Sequence, residues 1–114
     1  MKIDRFEDIL AWQRAKELTN TIYHLFRSNR DFGFRDQIQR ASVSIMNNIA
    51  EGFERKGNKE LKNFLFIAKG SCGEVRSMIY LACDLKYVTS SGRDDLLSKS
   101  EEISRLLSGF IKTL

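Results

Sequence analysis

Proline is absent from all 114 residues. Apolar residues instead recur in four seams at helical spacing. Leu61, Leu65, Ala68, Cys72, Val75, Ile79 and Ala82 follow one another at alternating steps of four and three, the interval that keeps one stripe of a helix against a partner. Ala11, Ala15, Leu18, Ile22 and Leu25 form an earlier seam, flanked by Trp12 and Phe26. Ile38, Ala41, Ile45, Ile49 and Phe53 form another, and Leu96, Ile103, Leu107, Phe110 and Leu114 the last. The pattern predicts an all-α chain. Short connections between such helices make sequential ones antiparallel neighbours, so the expected architecture is an up-down-up-down four-helix bundle spanning 1–114 as a single domain.

The expected helices run from Phe6 to Ser28, Phe34 to Lys56, Lys59 to Tyr87, and Ser91 onward. Asp4 is placed to cap the first, with Glu7 at the capping-box position. Residues 29–33 read as a loop. Gly57-Asn58 is the strongest break, with Gly57 in a left-handed conformation and Asn58 capping the next helix. Thr89 to Gly92 is the last break, with Ser91 as cap. Acid-before-base pairs four residues apart, Asp36–Arg40, Glu51–Arg55, Asp95–Lys99 and Glu101–Arg105, suit helical surfaces.

Hydrophobic content of 42% and charged content of 30% belong to a globular rather than a disordered chain. The net charge of +4 permits an anionic partner without demanding one. Cys72 and Cys83 fall on one expected helix, roughly 16 Å apart at a 1.5 Å rise per residue, too far to bridge. Buried thiols are the first reading and a redox or intermolecular role the second. Free thiols and a charged, non-apolar start at Met1-Lys2-Ile3-Asp4-Arg5 lead to the expectation of a cytoplasmic protein without a signal peptide. No apolar run has the length of a membrane span.

Little in the chain suggests chemistry. The only histidine, His24, has Thr21 rather than a glutamate three residues before it, against a di-iron carboxylate centre. There is no Cys-x-x-Cys for zinc, and the Gly70-Ser71-Cys72-Gly73 run lacks the lysine of a phosphate loop. The expectation is no enzyme, no metal and no cofactor.

Four features ask for more than a core. Leu61, Phe64, Leu65, Phe66 and Ile67 are apolar nearly all round a helix, which calls for either an oligomer interface or shielding by long neighbours. Gly70 and Gly73 fall in mid-helix, where each costs on the order of 1 kcal/mol against alanine. Close approach of another helix would account for them, a functional kink being the alternative. Arg40, Ser44, Asn47, Asn48, Glu51 and Glu74 border the apolar stripes, as a network fixing helix register or as a partner site. Arg55, Lys56, Lys59 and Lys62 concentrate positive charge around the second turn, with Glu60 the one acid among them. That corner is either merely solvated or a nucleic-acid contact that symmetric assembly would multiply.

One stretch is specific. Gln37-Ile38-Gln39-Arg40-Ala41-Ser42-Val43-Ser44-Ile45-Met46-Asn47-Asn48-Ile49-Ala50-Glu51-Gly52, followed by Arg55, resembles the signature of the bacterial four-helix-bundle family encoded in 23S rRNA intervening sequences. Phe64-Leu65, Ala68, Gly70-Ser71 and Glu74 fit its second motif, and Phe6-Glu7-Asp8-Ile9 with Trp12-Gln13 and Ala15 its opening. Two departures stand out: Met46 where proline is common, and Tyr87 after Lys86 where glycine is frequent. The resemblance implies a four-helix bundle assembled as a ring-like homopentamer. It also implies similarity to the basic, nucleic-acid-binding accessory protein that partners reverse transcriptase in diversity-generating retroelements. The family's name records gene location, not demonstrated ribosome binding.

Taken together, the expectation is a non-enzymatic, oligomeric helical-bundle scaffold that binds nucleic acid through a weak basic surface. RNA comes first, then DNA or a nucleic-acid-handling protein. The alternative is a protein–protein interaction adaptor without nucleic-acid contact.

Overall fold

The structure, a computed structural model, describes residues 2–114. A 3-10 turn at Phe6–Asp8 precedes four α-helices: α1 (Leu10–Phe26), α2 (Phe32–Glu54), α3 (Asn58–Asp84) and α4 (Ser90–Lys112). The described residues contain no strand. The connections, 27–31, 55–57 and 85–89, are too short to let a helix re-enter in the same direction. Each helix therefore packs on the next, and α4 returns against α1, while diagonal pairs do not meet. The bundle measures 43 × 22 × 19 Å.

The third seam is buried at every one of its seven positions, Leu61 through Ala82. Ala11, Ala15, Leu18, Ile22, Ile38, Ala41, Ile45, Ile49, Leu96, Ile103 and Leu107 share the interior with Phe26 and Phe34. Leu25 is a correction, because it stands exposed and Phe26 takes its place. A step of four from Ile22 keeps to the inward stripe, whereas a step of three falls short of it.

The helix ends differ from expectation for identifiable reasons. α1 begins at Leu10 instead of Phe6, because Ile9 is extended and its side chain enters the core. Phe6 packs edge-on against Trp12 at 5.2 Å between ring centroids. Neither the 3-10 turn nor α1 has a side-chain cap, so Asp4 does not cap as expected; the Gln13 amide instead donates to the Glu7 carbonyl at 2.9 Å. α2 starts inside the expected loop, with Asp31 as its cap: Asp31 Oδ1 accepts the Phe34 N–H at 3.2 Å.

Gly57 has φ +90° and ψ 153°, a region essentially reserved for glycine, and it occupies the N-cap of α3. Asn58 is consequently the first residue of that helix and not its cap. Thr89 caps α4 in place of Ser91, its Oγ1 accepting the Gly92 N–H at 3.0 Å. α3 closes with the Tyr87 N–H donating to the Ala82 carbonyl (2.8 Å) and the Lys86 N–H to the Cys83 carbonyl (3.0 Å). This double closure places Lys86 at φ +63°, the left-handed position that usually falls to glycine.

The interior polar groups are partnered across helices. The Thr19 hydroxyl lies 2.8 Å from the Ala15 carbonyl and 3.1 Å from that of Ser42, joining α1 to α2. Buried Cys72 donates its thiol to the Ser100 carbonyl at 3.0 Å, joining α3 to α4. Burial pushes the Cys72 thiol up to about 11, while Cys83 is only half-buried.

The mid-helix glycines overturn the close-approach expectation within one chain. A Cβ added at Gly70 or Gly73 would meet nothing within 4 Å. The close approach is made by buried Gly52 of α2, where an added Cβ would lie 2.6 Å from the Phe64 Cβ of α3.

Candidate functional site

The polar residues singled out in the sequence fall along the α2–α3 seam, but they do not form one network. Ser44 and Asn48 are joined: the Asn48 amide donates to the Ser44 carbonyl at 2.8 Å and to its hydroxyl at 3.0 Å. The Ser44 hydroxyl also lies 2.8 Å from that of Ser71, bridging the two helices. Two turns of α2 before Ser44, the Gln37 amide donates to Glu74 at 3.3 Å. These bonds pin the register of two helices whose backbones approach closely at Gly52. Arg40 and Asn47 take no part, and both side chains are exposed. An open hollow of about 590 Å³ lies at this end of the seam, bounded by Gly33, Asp36, Gln37, Arg40, Ala41, Ser44 and Glu74.

Sequence reasoning did not pick Gln37 or Ser71 as members of this seam. Both keep helical register with residues that it did pick, Gln37 seven before Ser44 and Ser71 three before Glu74. The missing information was which face of α3 turns to α2.

The basic corner divides in two. Arg55 is committed: its guanidinium pairs with Glu51 at 2.8 Å, approaches Glu60 at 3.9 Å, and lies 5.0 Å over the Phe64 ring. Glu51 therefore belongs with Arg55 rather than with Ser44 and Asn48. Lys56, Lys59 and Lys62 make no ion pair among the described residues. Lys56 and Lys59 are exposed and Lys62 half-exposed, at the end of the bundle where Gly57 turns the chain.

The outward face of α3 is the other unusual surface. Phe66 and Ile67 are each 52% exposed and Tyr80 is 51% exposed, with Leu81 and Leu85 close behind. Gly70, Gly73 and Ser77 fall between these groups on the same exposed face. Phe64 turns toward Gly52 instead and is half-buried.

Among the described residues, no group of three or more His, Cys, Asp or Glu is placed to hold a metal ion. No helix among them is long and apolar enough to cross a membrane. His24 is exposed, its Nδ1 lying 2.6 Å from an Arg27 nitrogen.

No curated protein matches the chain. A crystal structure of a protein with unknown function from the S23 ribosomal protein family of Bacteroides thetaiotaomicron VPI-5482 is similar. The two superpose with a TM-score of 0.84 at 25% sequence identity, over 90% of this chain and 99% of that one. Residues 7–109 match the family described as 23S rRNA-intervening sequence protein, a span that holds the Gln37–Gly52 segment, α1, α2, α3 and most of α4. This chain belongs to the 23S rRNA-intervening sequence protein family.

Proposed function

We propose that the protein is a non-enzymatic, cytoplasmic, oligomeric scaffold that binds nucleic acid electrostatically at the α2–α3 corner. The observation that carries this reading is the state of the corner's cations. Arg55 is neutralised by Glu51 and Glu60, while Lys56, Lys59 and Lys62 have no carboxylate partner among the described residues. Free surface ammonium groups are what phosphates bind by displacing counterions.

Assembly follows from α3. An apolar face carrying Phe66, Ile67, Tyr80, Leu81 and Leu85 is costly to leave in water, and the glycines between them leave room for a neighbour's side chains. A ring-like homopentamer is the assembly we assign, and it would repeat the lysine corner around its circumference. The same apolar face supports a second reading, a protein-interaction adaptor without nucleic-acid contact.

Anisotropy titrations of a structured RNA at about 50 and 200 mM salt separate the two readings. Binding should weaken steeply with salt. Replacing Lys56, Lys59 and Lys62 by Ala should lower the log–log slope by up to about 3, near 0.9 per lost phosphate contact on a duplex. No binding at the lower salt by an intact oligomer would favour the adaptor.

A further inference from the structure

The α1–α2 side of the bundle carries a groove in which rings and cations alternate. Trp12, Lys16, Asn20 and Tyr23 follow one another along α1 at helical steps, and Arg27 continues the row at its C-cap. Two hollows, of about 290 Å³ and 480 Å³, meet at Asn20, the first lined by α1 residues alone and the second also by α2. Trp12 and Lys16 line the first; Tyr23, Arg27 and, from α2, Arg35 line the second.

The charges in this groove are almost all positive. Its one carboxylate, Glu17, already pairs with Arg14 at 3.1 Å. Lys16 Nζ lies 5.6 Å from the centroid of the Trp12 ring. Arg35 touches Asp36 through Nε at 3.0 Å, which leaves its two terminal nitrogens for other acceptors, and it lies 4.8 Å over the exposed Phe32 ring. Tyr23 is exposed and its ring makes no aromatic pair among the described residues. Trp12 and Tyr23 are eleven residues apart, hence roughly 16 Å along the helix.

We propose that this groove is a track for single-stranded nucleic acid, with bases stacking on Tyr23 and at Trp12 and phosphates meeting Lys16, Arg27 and Arg35. Single strands are held by such a combination: a basic channel following the backbone, and aromatic faces that accept any base. A duplex hides its base faces, so it can use the lysine corner but not the rings. The inference rests on the nucleic-acid reading above and names the strand type and the surface. The lysine corner lies elsewhere on the molecule.

Trp12 is the only tryptophan, so its emission reports on the groove directly. The full chain is titrated with a 12-nucleotide oligouridylate and with a blunt duplex of equal length, following Trp12 fluorescence and the anisotropy of labelled strands. The single strand should change Trp12 emission and the duplex should not. Tyr23→Ala should weaken single-strand binding on the order of 5-fold or more, with duplex binding unchanged, and Tyr23→Phe should restore it. Arg27→Ala should weaken single-strand binding and reduce its salt slope. Tyr23 and Arg27 are exposed, and an unchanged thermal melt confirms that the variants remain folded. Single-strand binding that leaves Trp12 unaffected and survives both alanine variants overturns the groove while leaving the lysine-corner reading intact. Absence of binding to either probe at low salt overturns both.

Discussion

Tyr87 donates its hydroxyl to Asp31 Oδ2 at 2.7 Å, tying the close of α3 to the cap of α2. The other oxygen of the same carboxylate accepts the Phe34 N–H. Phe34 in turn lies edge-on to the Tyr87 ring at 5.2 Å and tilted against Phe26 at 5.5 Å. One aspartate thus serves as helix cap and as tertiary anchor at the end of the bundle opposite the lysine corner.

This pair makes stability pH-dependent at both extremes. The Tyr87 hydroxyl, and then the Phe34 N–H, hold the Asp31 carboxyl below its usual 3.8. Its contribution is therefore complete above that ordinary value and is lost as pH falls through the depressed one. The Asp31 carboxylate raises Tyr87 above its usual 10.0, so that contribution is complete below pH 10 and is lost as pH rises through the raised value. Tyr87→Phe keeps the ring and removes the bond. The difference in melting temperature between wild type and this variant should be flat from about pH 5 to 9 and shrink on either side. A difference that does not vary with pH would show that the ring, not the bond, matters.

Gly52 and Gly73 should respond oppositely to the same change. Gly52→Ala forces a methyl onto the Phe64 Cβ and should destabilise by roughly 1–3 kcal/mol. Gly73→Ala meets open space within the chain and gains helix propensity, about 1 kcal/mol. Urea unfolding of dilute protein measures both. Loss of stability in Gly73→Ala would mean that a neighbouring chain already occupies that face.

Lys86 should be improvable. A non-glycine residue in the left-handed region costs on the order of 1 kcal/mol, and Lys86→Gly removes that cost while keeping both closing bonds. Gly57→Ala should cost about 1–3 kcal/mol, because φ +90° with ψ 153° strains any side chain. Thermal melts that rank the two variants in the reverse order would contradict these backbone assignments.

The two thiols should differ in reactivity. Cys72 is buried, its thiol is pushed up to about 11, and it donates to Ser100, so little thiolate exists at neutral pH. Cys83 is half-buried near an Arg93 nitrogen at 3.7 Å. At pH 7.5 a thiol reagent should label Cys83 first, and Cys72 only on unfolding. Equal labelling rates in the folded protein would require an open route to Cys72.

The apolar face of α3 should govern assembly. Phe66→Lys places a charge among exposed apolar groups without touching the core. Sedimentation equilibrium at micromolar concentration should find the wild type oligomeric and this variant shifted toward smaller species. A monomeric wild type would remove the basis for the ring.

The sequence by itself determined the four helices, their order and most of their buried stripes, because helical periodicity is local and repeated. The chain from Leu61 to Ala82 writes its inward face seven times over. It also determined the family, through the Gln37–Gly52 segment. Helix ends were less legible. Whether Asp4, Asn58 or Ser91 caps a helix depends on single competitions, such as Ile9 leaving the helix for the core, that propensity does not weigh. Only the tertiary structure decided which charges are free. Arg55 and Lys56 are adjacent in sequence, yet the first is held by Glu51 and Glu60 and the second is not. It also decided which glycine is tight. Gly52, Gly70 and Gly73 are alike in sequence, and only the α2–α3 crossing brings a neighbour onto the first. Periodicity fixes which way a residue faces along its own helix. What lies opposite is set by how two helices cross, and a groove such as that between Tyr23 and Arg35 exists only once they have packed.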